Sequence, residues 1–194
     1  MQNRRTQREE QIYESVLRLW TQRGDLHTIT VQQIADEAGI GKGTIYEYFS
    51  SREEIFAKAF AYRMENEFSL LENAMKAQEN VDGQLRVLLR AADRVIEMQS
   101  VGMQVLTVCL NGKNKLENLC GQMECGYSRK IEKLLEQLVH KGMEEGVFAR
   151  SLKMRYAVLA LLSGLSGYVS YRRTHPDELE LEQETLQILY RALN

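Results

Sequence analysis

The chain has very little proline, cysteine and histidine for its 194 residues. Pro176 is the only proline, so glycines and capping residues are almost the only breaks available between helices. The three cysteines, Cys109, Cys120 and Cys125, are odd in number and form no metal-ligand spacing with the three histidines. We therefore expect an all-α fold that has no metal, no cofactor and reduced structural thiols. A redox-sensing pair of Cys120 and Cys125 is the alternative.

Long apolar runs, a leader segment and a strong net charge are also missing. No apolar run approaches the roughly 20 residues of a membrane span, and no charged-then-apolar leader begins the chain. We therefore expect a cytoplasmic protein without a membrane partner. The formal net charge is −2, so any DNA binding must depend on a few well-placed cations and hydroxyls. The sequence also contains no Gly-rich phosphate loop and no nucleophile with a base at a motif spacing, and we predict that it is not an enzyme.

Apolar residues recur at helical spacing along nearly the whole chain. The length allows one small head and one larger body, which we place at residues 1–51 and 52–194. The helical pattern predicts about nine helices, at residues 3–22, 31–38, 42–48, 52–78, 84–98, 100–110, 116–145, 152–173 and 178–193. Breaks are expected at residues 80–83 and in the polar stretch 111–114.

The most informative stretch is TVQQIADEAGIGKGTIYEYF, from Thr30 to Phe49. Thr30 and Gln33 have the spacing of a capping box, which predicts a helix that starts at the next residue. Gly39 can take a positive φ and end that helix. A second short helix, Lys42–Tyr48, then follows, with Ile45 and Phe49 on its buried side. Two short helices joined in this way predict a helix-turn-helix, whose second helix reads DNA in the major groove.

The run IADEAGIGKGTIYEYF and its continuation SSREEIFAKAF closely resemble the DNA-binding domain of the TetR family of bacterial transcriptional regulators. The resemblance covers residues 7–64 and implies a three-helix DNA-binding head. It also implies contacts to bases from the start of the second short helix and contacts to phosphates around it. The DNA-binding residues predicted in this way are Thr30, Gln32, Gln33, Gly41, Lys42, Gly43, Thr44, Tyr46, Glu47, Tyr48 and Arg52.

Several of these positions have a second interpretation. Tyr46 and Tyr48 could contact phosphates or could simply pack. Glu47 stands where the family has an aromatic residue or a histidine, and it could accept a hydrogen bond from a cytosine N4 amino group or could point to solvent. Gly41 also departs from the usual serine or alanine. Near the N-terminus, the arginines at 4, 5 and 8 could follow DNA as an arm or could belong to a frayed end.

By analogy with the same family, the body encloses an effector pocket, and its last two helices form a four-helix interface between two subunits. The pocket residues predicted are Met64, Phe68, Met98, Met103, Leu106, Met123, Tyr127 and Tyr156, although such stripes are also typical of plain core. The interface residues predicted are Leu161, Gly164, Leu165, Tyr168, Leu186, Leu189 and Tyr190.

These features together predict a homodimeric, ligand-responsive repressor of transcription. A small apolar effector would release it from a palindromic DNA operator. The alternative is a dimeric small-molecule-binding or interaction protein of the same fold that has lost its affinity for DNA through Glu47 and a neutral head.

Overall fold

The computed structural model describes the backbone of residues 2–94 and 116–194 and the side chains of residues 6–94 and 129–194. This part of the chain forms eight α-helices and one 3₁₀ turn and contains no strand, which confirms the all-α prediction. The elements are α1 Gln2–Arg23, the 3₁₀ turn Leu26–Thr28, α2 Val31–Glu37, α3 Lys42–Tyr48, α4 Arg52–Lys76, α5 (residues 81–94), α6 Leu116–Glu144, α7 Met154–Thr174 and α8 Leu181–Leu193. The helix predicted at 100–110 and the polar loop at 111–114 lie outside the described residues.

Within the described part, the chain divides into two compact units, and the divisions fall inside α4 and inside α6. The first unit contains residues 2–67 and 116–125, and the second contains residues 68–94 and 126–194. The boundary predicted at residues 51 and 52 concerned which part binds DNA, and it stays a prediction.

The first unit is built around one apolar core. Helix α1 buries a stripe at the spacing that the sequence predicted, and α2, α3 and the start of α4 close over it. Its fully buried members include Ile12, Leu26, Ile29, Ile34, Ile45, Phe49, Ile55 and Phe56. Burial of one such side chain contributes about 1.5–3 kcal/mol, so this core holds the two short helices in place although neither would be stable alone.

The second unit has its own core between α5, α6, α7, α8 and the end of α4. Helix α6 contributes Leu134, Leu135, Leu138 and Val139, all of which are buried. Helices α7 and α8 pack against each other, and Ala157, Leu161, Leu186 and Leu189 lie at their inner sides.

Helix α5 begins earlier than predicted. We expected residues 80–83 to form a break and a helix to resume at Gln84, but the helix starts at residue 81. Two side chains cap its first turn: Asn80 Oδ1 accepts from the backbone N–H of Gly83 at 2.9 Å, and Glu145 Oε2 accepts from that of Val81 at 2.9 Å. Glu145 lies in the turn that follows α6, 64 residues away, so the sequence pattern at residues 80–83 contained only part of the capping signal.

Helix α8 begins later than predicted, at Leu181 and not at Glu178. The guanidinium of Arg172 donates to the carbonyl oxygens of Pro176 at 3.3 Å and Glu178 at 2.7 Å, which holds these residues in a loop beside α7. Leu179, which the predicted bounds placed in this helix, precedes it and is 92% exposed.

Candidate DNA-binding site

The start of α2 is fixed by the predicted capping box. The Thr30 side chain accepts from the backbone N–H of Gln33 at 3.3 Å, and the Gln33 side chain accepts from that of Thr30 at 2.9 Å. Both interactions satisfy donors that a helix start leaves free. Thr30 and Gln33 therefore define where α2 begins, while Gln32 is exposed beside them and donates to Asp36 Oδ1 at 2.7 Å.

The turn between α2 and α3 depends on Gly39, whose φ is +62°. At this φ a side chain would be strained, and glycine avoids the cost. The backbone N–H of Ile40 donates to the Ala35 carbonyl at 3.0 Å, which closes the end of α2. Ile40 itself packs against the first core, as predicted for a residue that fills the corner between two helices.

Helix α3 has one buried side and one open side. Ile45 and Phe49 are 0% and 2% exposed, and the Phe49 ring meets the edge of Tyr13 at a centroid distance of 5.8 Å. On the other side, Lys42, Gly43 and Glu47 are exposed. The buried pair sets the rotation of α3, and this rotation turns the predicted base-reading residues to the outside.

The two tyrosines of α3 have different surroundings. Tyr46 is 52% exposed, so its ring does not pack into the core. Tyr48 is partly buried, and its ring lies 6.4 Å from that of Phe49, so it combines packing with an accessible edge. The sequence left open whether each tyrosine contacts a phosphate or only packs. Packing alone is excluded for Tyr46, whereas the Tyr48 ring does pack in part.

Most charged side chains around α3 form ion pairs or hydrogen bonds within the described part of the chain, but the two on its outer face do not. Arg18 Nε donates to Glu37 Oε1 at 2.8 Å. Lys42 and Glu47, by contrast, make no hydrogen bond or ion pair with any residue in the described ranges, so both remain available to an external ligand.

Arg52, at the start of α4, is held by the head itself. Its guanidinium donates to the carbonyls of His27 and Ile29, each at 3.4 Å, and its carbon lies 5.6 Å from the Phe56 ring centroid. These contacts fix the loop that precedes α2. The role of Arg52 as a phosphate contact stays a prediction.

Gln11 is a positioning residue that the sequence did not reveal. Its amide donates to the Ala38 carbonyl at 2.8 Å, which ties α1 to the turn between α2 and α3, and Arg8 donates to Gln11 Oε1 at 2.8 Å. Gln11 and Ala38 are 27 residues apart, and no local pattern links them. The backbone of residues 4, 5 and 8 lies within α1, so these arginines belong to a helix and not to an extended arm.

The corner between α3 and α4 is closed by Glu54. Its Oε2 accepts from the backbone N–H and the hydroxyl of Ser50 at 2.7 and 2.6 Å, and its Oε1 lies 2.8 Å from Lys58 Nζ. Ser51 Oγ accepts from the Glu54 N–H at 3.1 Å, as expected of the residue predicted to cap this helix. The recognition helix α3 is thereby joined to α4 by charge-assisted hydrogen bonds.

A core-supported helix-turn-helix with free polar groups on its second helix is a DNA-binding head, and residues 12–59 match the family model of bacterial regulatory proteins, tetR family. Over residues 12–59, this head is therefore that of the TetR family. The chain is 24% identical over 146 residues to the HTH-type transcriptional repressor KstR2 of Mycobacterium tuberculosis. This alignment covers 73% of the chain and 70% of the repressor.

Solved structures agree with this TetR-family fold. The fatty acid degradation regulator FadR from Bacillus halodurans covers 96% of this chain and 94% of its own, with a TM-score of 0.62 and 21% identity. FadR from Bacillus subtilis in complex with stearoyl-CoA covers 95% of this chain and 97% of its own, with a TM-score of 0.59 and 20% identity. The chain therefore shares the all-helical fold of these regulators.

The TetR-family head should lose stability in acid through Glu54. Burial raises the pKa of this carboxyl, but the hydrogen bonds from Lys58 and Ser50 outweigh it and lower the pKa from 4.5 to about 2. A lowered folded-state pKa stabilises the protein above pH 4.5, and the gain is lost as the pH falls from there toward 2. Glu54→Gln should therefore cost about 1–2 kcal/mol at pH 7 and progressively less in acid.

Thermal unfolding of the wild type and Glu54→Gln across this pH range checks the prediction. Glu47→Gln is the matched control, because Glu47 has no partner in the described part of the chain. An equal cost of Glu54→Gln at pH 7 and near pH 2 would contradict the role given to the charged carboxylate.

Only three of the eight predicted pocket residues have side chains in the described part of the chain. Met64 and Phe68 are partly buried on α4, and Phe68 packs against the second core. Tyr156, also predicted to line the pocket, is 59% exposed on α7, and Lys153 Nζ is 5.9 Å from its ring. Its role in the pocket stays a prediction. The side chains of the other five lie outside the described residues: Met98, Met103, Leu106, Met123 and Tyr127.

The predicted dimer interface needs a larger correction. Leu161, Tyr168, Leu186 and Leu189 are at most 2% exposed in a single chain, so they belong to its own core and cannot present side chains to a partner. A Cβ on Gly164 would lie 2.5 Å from Leu189 Cδ2, so this glycine allows α8 to approach α7 within one subunit.

Two further predicted interface residues, Leu165 and Tyr190, are partly buried, and Tyr190 donates to Asp82 Oδ1 at 2.5 Å. The outer face of α7 and α8 carries other apolar residues. Leu159 and Leu162 are 58% and 40% exposed on α7, and Ile188 is 61% exposed on α8.

In the part of the chain that the structure describes, no group of three or more His, Cys, Asp or Glu side chains could hold a metal ion. None of the helices there is both long and apolar enough to cross a membrane. The side chains of Cys120 and Cys125 lie outside the described residues, so the hypothesis that these two cysteines form a redox-sensing pair stays a prediction.

Proposed function

We propose that this TetR-family protein is a homodimeric repressor that binds a near-palindromic DNA operator and is released by a small, largely apolar effector. The observation that carries the proposal is the outer face of α3, where Lys42, Tyr46 and Glu47 are exposed on a helix held by a packed core. Partner-free charges placed on a fixed helix are what base and phosphate contacts require. In this proposal residues 1–51 bind DNA in the cytoplasm and residues 52–194 serve dimerisation and the effector.

Dimerisation is supported by the outer face of α7 and α8, which we call the α7–α8 face and define by Leu159, Leu162, Ile188 and Gly167. Its leucines and isoleucine are substantially exposed in one chain, and a Cβ on Gly167 would meet no atom within 4 Å. Exposed apolar residues with a small residue on the same helix suit close packing of this face against the same face of a second copy around a two-fold axis. Two heads related by that axis require two half-sites of opposite orientation.

Release is proposed to pass from the body to the head along the chain, through α4. An effector can shift the protein between DNA-competent and incompetent forms only if it binds one of them better. A shift from 99:1 to 1:99 requires about 5.5 kcal/mol of differential binding, which burial of an apolar chain can supply at about 25 cal/mol per Å². Because a FadR of this fold is known in complex with stearoyl-CoA, that molecule is the first probe, with coenzyme A as its control.

Selection from a random duplex pool tests the proposed function. The wild-type protein should enrich a near-palindrome whose half-site centres lie one helical turn apart, roughly 34–36 Å, or modestly further. Lys42→Ala should weaken binding and, if the ammonium contacts a base edge, relax one position per half-site by about 1–3 kcal/mol. Lys133→Ala, which removes the same charge from an exposed position on α6, is the control and should leave affinity unchanged.

Two outcomes would contradict the proposal. Enrichment of a single asymmetric half-site bound by a monomer would remove the homodimer on a palindrome. No enrichment, together with no salt-dependent binding to any duplex, would instead favour an interaction protein of the same fold, because phosphate contacts always make affinity depend on salt.

A further inference from the structure

Glu47 is exposed on the recognition helix and has no structural task there. It forms no ion pair or hydrogen bond with any residue of the described part of the chain. Other acids of the head are engaged, since Glu37 pairs with Arg18 and Glu54 with Lys58, each at 2.8 Å. The carboxylate of Glu47 is therefore free to interact with whatever α3 approaches.

The helix gives this carboxylate an unobstructed path toward its N-terminal end. Side chains in an α-helix tilt toward the N-terminus, so the Glu47 side chain runs over the residue four positions earlier. That residue is Gly43, which is exposed and at which a Cβ would meet no atom within 4 Å. The space beside Gly43, on the N-terminal side of Glu47, therefore contains no side-chain atom. The same end of α3 holds Lys42 and Thr44, the predicted base-reading residues.

A carboxylate at this position can form favourable hydrogen bonds with few of the base edges in the major groove. It accepts hydrogen bonds and donates none, so guanine N7 and O6 and thymine O4 repel it, as do the phosphates. Adenine offers its N6 amino group but places the acceptor N7 beside it. Cytosine alone presents an amino donor, N4, with no acceptor on its own major-groove edge.

We propose that Glu47 is a specificity-determining residue that reads one cytosine per half-site through the N4 amino group. The same carboxylate lowers affinity for sequences that have another base there, because it then meets an acceptor and gains nothing for its desolvation. This inference rests on the proposed function and adds to it the identity of one base and the residue that selects it.

The experiment is selection from a random duplex pool with wild type, Glu47→Ala and Glu47→Gln, followed by affinity measurements on the enriched duplex and its single-base variants. In the wild type, replacing the cytosine should weaken binding by about 5- to 150-fold. In Glu47→Ala this preference should fall to near one-fold. Glu47→Gln should move the preference toward adenine, since a Gln amide can pair with both N6 and N7.

Glu79→Ala is the matched control, because it removes the same charge from an exposed residue between α4 and α5, away from α3. It should keep the base preferences of the wild type. If Glu47→Ala enriched the wild-type sequence with unchanged preference at every position, Glu47 would read no base and the inference would be overturned while the proposed function stood. If the wild type itself enriched no sequence, the proposed function would fail, and the inference with it.

Discussion

Gly142→Ala is expected to lower the free energy of unfolding by about 2 kcal/mol, because a methyl group on α6 would overlap a buried aromatic ring. A Cβ at Gly142 would lie 2.1 Å from Cδ2 and 2.3 Å from Cε2 of Phe148. Phe148 is 1% exposed, and its backbone N–H and that of Val147 both donate to the Gly142 carbonyl, at 3.0 and 2.9 Å. The ring therefore cannot move aside without breaking the turn that ends α6.

The opposing effect is smaller. Alanine favours a helix over glycine by about 1 kcal/mol, which offsets only part of the overlap. Gly43→Ala on α3 is the matched control: Gly43 is exposed, and a Cβ there would meet no atom within 4 Å. Urea unfolding of both variants measures the difference. A Gly142→Ala protein as stable as Gly43→Ala would show that Phe148 does not pack on α6 at this distance.

Leu159→Asp is expected to convert the proposed dimer into monomers and to weaken binding to the selected operator by roughly 100-fold or more, since both heads then bind independently. Leu159 is 58% exposed on α7, so the substitution should leave the fold of one subunit unchanged. In a two-fold interface every substitution occurs twice, and two carboxylates would be buried against an apolar face with no partner.

Sedimentation and operator titration together check this result. Leu70→Asp is the matched control, because Leu70 is 60% exposed on α4 and lies outside the α7–α8 face. It should remain dimeric with unchanged affinity for the operator. A Leu159→Asp protein that stayed dimeric at the same concentration would show that the two copies meet through another surface.

The helix-turn-helix could be predicted closely because its signals are local. The capping box of Thr30 and Gln33 and the positive φ of Gly39 act within a few residues, and both are present in the structure. The spacing of Ile45 and Phe49 then set which side of α3 is buried. The contact from Gln11 to the Ala38 carbonyl could not be predicted, because it joins residues that only the packing of α1 brings together.

Helix ends in the body show the same limit. The start of α5 is capped in part by Glu145, which directly follows α6, and the start of α8 is delayed by hydrogen bonds from Arg172 of α7. A helix end is decided by whichever groups satisfy its free N–H and C=O groups. When those groups come from another helix, the sequence near the end does not contain the information.

The sequence by itself determined that this protein is all-α, where the two helices of its DNA-binding motif begin and end, and which residues of α3 face outward. Helical periodicity also showed that α7 is apolar on more than one side. Only the tertiary structure decided which side is inside: Gly164 lets Leu189 of α8 pack closely on α7, so Leu161 and Tyr168 turn inward and Leu159 and Leu162 remain on the surface. A pattern of apolar residues predicts that a helix face is covered, but it does not predict whether the same chain or a second copy of the protein covers that face.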